Sequence, residues 1–133
     1  MISLINDKGF TLIEMLIAVS MVLILSAIGI PIYNGYIKGS KIDLAKSNLG
    51  SIYLAEINHF YENHQYYITG TTCGNHNEDL INNLFSGEAV ISKDSFEFCV
   101  LRSKNGFIAK AIGKNNQEIT IDHNNNLQIV SEG

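Results

Sequence analysis

The sequence predicts an α+β protein in which one long N-terminal helix packs on a four-stranded antiparallel sheet. Three observations carry this. From Phe10 to Ile37 the chain is almost wholly apolar, with Glu14 its one charged side chain. From Ile42 the apolar residues take helical spacing, and from Phe96 they alternate in short runs separated by polar turns.

The apolar run is long enough to cross a bilayer as a helix, which needs about 20 residues. Glu14 stands out in it, because a carboxylate in hydrocarbon costs on the order of 3 kcal/mol and calls for a partner. No cation in the run supplies one. A cut after Gly9 would give Phe10 a free α-amine, charged near neutral pH. That amine would lie one helical turn from Glu14, on the same face. Pro31, the chain's single proline, removes a backbone hydrogen bond and predicts a kink or local break near Gly29 to Pro31.

Beyond it, Ile42, Ala45, Leu49, Ile52, Tyr53, Ile57 and Phe60 fall on a stripe about 140° wide. Glu56 lies in that stripe and is expected at its edge; Leu44 and Leu54 lie outside it. Gly39 and Gly50 weaken this half by about 1 kcal/mol each, so packing must hold it. Asn63 to Asn77 reads as a stop signal and loop, and Glu78 to Phe85 as a short helix. Strands follow at Phe96 to Leu101, Phe107 to Ile112, Ile119 to Ile121 and Leu127 to Val130, with Asn105-Gly106 marking the first hairpin turn. Such a meander needs a cover on one face, and the helical stripe is available for it.

The 133 residues suffice for one membrane helix and one small domain. A net charge of −4 predicts no bulk attraction to nucleic acid. Cys73 and Cys99 are read either as a disulfide, implying an oxidising compartment, or as two buried thiols. If bridged, the alternation of the first strand puts the bond toward the outer face or edge of the sheet. The four histidines lack ligand spacing and read as solvated. No nucleophile, phosphate loop or carboxylate pair marks an enzyme, and no cofactor is expected. Ser20 and Ser26 read as helix residues bonded to their own backbone. Counting cations on each side of the run, with Lys38, Lys41 and Lys46 beyond it, would leave the C-terminal domain in the cytoplasm. The cysteine pair argues for the opposite side.

The segment Lys8-Gly9-Phe10-Thr11-Leu12-Ile13-Glu14, followed by about twenty apolar residues and Pro31, resembles the leader, cleavage site and N-terminal helix of a type IV pilin. The resemblance implies the pilin fold, with residues 1–9 as a cleaved leader, 10–37 as the transmembrane and filament-core half of the helix, and 38–133 as the globular domain. It implies cleavage between Gly9 and Phe10 by a prepilin peptidase, N-methylation of Phe10, an assembly charge pair through Glu14 and a helix-weakening Pro31. The precursor would sit in the inner membrane with its domain in the periplasm, and the mature chain at the cell surface in a pilus. Its partners would be other pilin subunits and the inner-membrane assembly machinery. The run HFYENHQYY resembles the end of the long helix in minor pilins. Major pilins close a C-terminal loop with their disulfide, whereas here 34 residues follow Cys99, so a minor pilin is the expectation. A type II secretion pseudopilin and a DNA-receptor pilin are the alternatives.

Between Phe98 and Gln117 stand four cations, Arg102, Lys104, Lys110 and Lys114, and no acid. They are read chiefly as gatekeeping charges on a solvated hairpin, and otherwise as a candidate anion patch for DNA or an acidic partner.

Overall fold

The computed structural model describes residues 9–93 and 95–131. The proposed leader, Gly9 apart, lies outside the described residues, as does Lys8 of the quoted motif. The expected architecture is present: a long helix, α1 (Leu12–Asn63), and an antiparallel sheet in the order β1 (Phe96–Ser103), β2 (Gly106–Gly113), β3 (Glu118–Asp122) and β4 (Leu127–Ser131). The chain divides at Gly39/Ser40 into two compact units.

In the first unit every residue from Gly9 to Tyr36 is exposed, although nearly all are apolar. A helix apolar all round is stable only in lipid or among other helices. Ser20 and Ser26 donate to the carbonyls of Leu16 and Val22, each at 2.7 Å, as expected of serines in such a helix. The helix runs unbroken through Pro31, so the expected local break is absent.

The second unit holds the core. Ala45, Leu49 and Ile52 of α1 pack with Phe98, Val100, Phe107, Ala109, Ala111, Ile119 and Ile121 of the sheet. Pairing Val100 with Ala109 and Ala109 with Ile121 puts these side chains on one face. Leu80, Ile81 and Ile91 of the connecting segment complete the cluster. That segment begins as the single turn α2 (Asn77–Asp79) and widens into a π turn over Leu80–Leu84, where an ordinary short helix was expected.

Turn chemistry fixes the ends. His64 adopts the left-handed conformation, φ 57°, and its N–H closes α1 onto the Phe60 carbonyl at 2.7 Å. Asn116 and Asn125 take the same conformation in the second and third turns of the sheet. Gly106, the first residue of β2, is needed for closeness: a Cβ there would lie 2.6 Å from the His123 ring.

Edge strand β1 is closed rather than left open. The Asn77 side chain accepts from Phe98 N–H at 2.7 Å and donates to the Phe96 carbonyl at 3.1 Å, standing in for a neighbouring strand. Further along, Thr69 N–H donates to the Val100 carbonyl and Thr69 Oγ1 accepts from Val100 N–H, at 2.9 and 3.0 Å. Cys73 is bridged to Cys99. Cys99 is fully buried and stands on the edge strand β1, where the expectation was the outer face or edge of the sheet. It does point away from Phe98, but the loop from Thr69 to Cys73 folds over it.

Glu56 also departs from expectation. It is not at the edge of the helical stripe but wholly buried, because the loop after α1 returns across it. Its Oε2 accepts the Tyr67 N–H at 2.9 Å, whereas Oε1 has no partner among the described residues. Burial pushes its carboxyl up to about 8, outweighing the opposing effect of the Tyr67 bond.

Candidate functional site

Gly9 and Phe10 precede α1 without regular structure, and Phe10 is 83 % exposed. The backbone at the proposed cleavage point is therefore accessible. Thr11 caps the helix that starts at Leu12. Its N–H and Oγ1 both donate to Glu14 Oε2, at 2.7 and 3.0 Å, while Glu14 N–H donates to Thr11 Oγ1 at 3.3 Å. This is a capping box, two orphan helix donors satisfied reciprocally. The pattern Thr11-x-x-Glu14 is its sequence signature, and reading Glu14 for its charge alone overlooks it.

The box uses only one carboxylate oxygen, so Oε1 is left without a hydrogen bond among the described residues. In the uncut chain Phe10 N is a peptide nitrogen, and Glu14 makes no ion pair among the described residues. The acid thus stands capped on one side and open on the other, at the head of a helix long and apolar enough to cross a membrane.

The four cations of the hairpin do not form one patch. Arg102 and Lys104 lie at the β1–β2 turn, whereas Lys114 lies in the β2–β3 turn, roughly 25 Å away along an eight-residue strand. Lys110 is on the face opposite the core and is paired with Glu118 at 2.9 Å. A strand connects these residues in sequence and separates them in space. No cluster of three potential metal ligands occurs among the described residues. His59 and His76 are engaged instead with the Gln65 carbonyl and with Asp79, at 2.8 and 3.2 Å.

Comparison with known proteins bears on the N-terminal segment. Residues 4–30 match the prokaryotic N-terminal methylation motif. The chain is 42% identical over 61 residues to the Type IV major pilin protein PilA of Myxococcus xanthus (strain DK1622), a match covering 46% of this chain and 28% of that protein. The chain thus spans about a quarter of the length of the curated relative it matches. No solved structure matches.

Proposed function

We propose, on the premise that this chain belongs to the type IV pilin family, that it is a structural subunit of a type IV pilus, and a minor one. Its precursor is cut after Gly9 by a prepilin peptidase and methylated at Phe10. It resides in the inner membrane with residues 38–133 in the periplasm until it enters the filament with other pilin subunits. The observation that carries this is the exposed apolar first half of α1 with a half-engaged acid at its head. Neighbouring subunits would cover the apolar surface, and the Phe10 amine of one subunit would meet the open oxygen of Glu14 in another.

The Cys73–Cys99 bond supports the periplasmic side against the count of cations at Lys38, Lys41 and Lys46. The minor role rests on the placement of that bond within the loop and first strand. The relative is named a major pilin, so scarcity of this chain in sheared filaments, relative to the principal subunit, is the expected result for a minor one.

Two variants of Glu14 test the assembly role. Glu14→Val removes both charge and cap, whereas Glu14→Gln keeps a cap, since glutamine serves equally at that position. Both are expected to retain cleavage and membrane residence at native expression. Both are expected to lose incorporation by about tenfold or more, because a charge pair in low dielectric is worth more than about 1.4 kcal/mol. Wild-type incorporation of Glu14→Gln in the sheared fraction would reduce Glu14 to a helix cap and defeat the pairing account.

A further inference from the structure

One groove in the globular unit has a chemistry that the filament role does not use. It lies between the end of α1 with its following loop and the β1–β2 turn, has a volume of about 340 Å³, and is bordered by Phe60, Gln65 and Tyr66 on one side and Arg102, Lys104 and Asn105 on the other. Among the described residues no Asp or Glu lines it, although the chain carries a net charge of −4. Arg102 and Lys104 make no ion pair among the described residues, unlike Lys46, Lys93 and Lys110.

The aromatic wall is braced from behind. Phe60 is 38 % exposed and stacks on Tyr66 at 4.7 Å, and Tyr66 rests on the fully buried Phe107 at 4.9 Å. A ring held this way presents apolar surface to a ligand with little ordering left to lose on binding.

We propose that this groove binds a carboxylated sugar residue of an anionic polysaccharide, with Arg102 and Lys104 taking the carboxylate and Phe60 the apolar face of the ring. A guanidinium fork matches a planar carboxylate, and an ammonium adds a second charged donor. The amides of Gln65 and Asn105 each offer donors and an acceptor to hydroxyl groups. The volume is at the small end of ligand sites and holds one or two sugar rings. A nucleic acid is disfavoured by the same geometry. Two phosphate contacts give a log-log salt slope of only about −1.4 to −1.8, because Lys114 lies at the far end of the hairpin and Lys110 is already paired.

The test uses the full-length chain in detergent and does not depend on filament assembly. It is titrated by calorimetry with an oligogalacturonate, a neutral glucan of equal length and a single-stranded oligonucleotide of equal charge. The oligouronate is expected to bind with a dissociation constant roughly in the millimolar range or below. The neutral glucan should bind at least about tenfold more weakly. Arg102→Gln and Lys104→Gln are each expected to weaken the oligouronate about tenfold with melting temperature unchanged, Phe60→Leu to weaken it about tenfold with a small loss of stability from the lost ring stack, and Lys114→Gln to leave it unaltered. Absence of oligouronate binding, equal binding of the neutral glucan, tighter binding of the oligonucleotide, or an equal loss in Lys114→Gln would each overturn the proposal.

Discussion

Replacing Cys73 and Cys99 together with alanine is expected to destabilise the globular unit by roughly 3.5 kcal/mol, the chain-entropy value for a closed loop of this size. For a domain near 100 residues that corresponds to a fall in melting temperature on the order of 15–25 °C. The structure adds a local reason. The bond fastens the loop that covers Cys99, and Thr69 in that loop satisfies both backbone groups of Val100 on the edge of β1. Without it, hydrogen exchange at Val100 and Leu101 should rise before that of the paired β2–β3 core. Alanine is the informative choice because a serine hydroxyl at fully buried Cys99 would add its own desolvation cost. A variant melting within a few degrees of wild type would show that the bond staples nothing the rest of the fold does not already hold.

The second large effect is a pH dependence from Glu56. Its carboxyl, ordinarily at 4.5, is pushed up to about 8 by burial. Between those values the folded chain keeps a proton that the unfolded chain has released. Stability must therefore fall as pH rises through that window, and level off above about 8. Glu56→Gln preserves an acceptor for the Tyr67 N–H but has no proton to lose. It should flatten the profile between pH 5 and 8 and melt well above wild type at pH 8. Parallel profiles for the two proteins, measured by thermal unfolding across that range, would place the pH dependence elsewhere.

Both effects depend on the loop after α1, where the amino-acid sequence is hardest to read. The elements themselves are legible because their signals are periodic: the apolar run for α1, the alternation around Phe98, Ala109 and Ile121, and the turn at Asn105-Gly106. The burial of Glu56 and Cys99 is hidden from the sequence for a common physical reason. Their surroundings are set by the segment from Gln65 to Cys73, which has no periodicity and folds back over both. Asn77 likewise closes the β1 edge with one side-chain amide, and nothing distinguishes it in sequence from Asn75, Asn82 or Asn83. The cations of the hairpin show the converse, in which residues close along the chain are spread along a strand in space. At the N-terminus Glu14 was legible as the odd acid of an apolar run, while its cap with Thr11 became clear only from the hydrogen bonds.

The central claim, that this is a processed filament subunit, is tested most directly by the intact mass of the protein isolated from its native membranes. Because the chain before Phe10 is read as a leader and the apolar helix as retained, the mass should be that of the precursor less Met1–Gly9, plus one methyl group. A mature chain that still begins at Met1 would contradict the account.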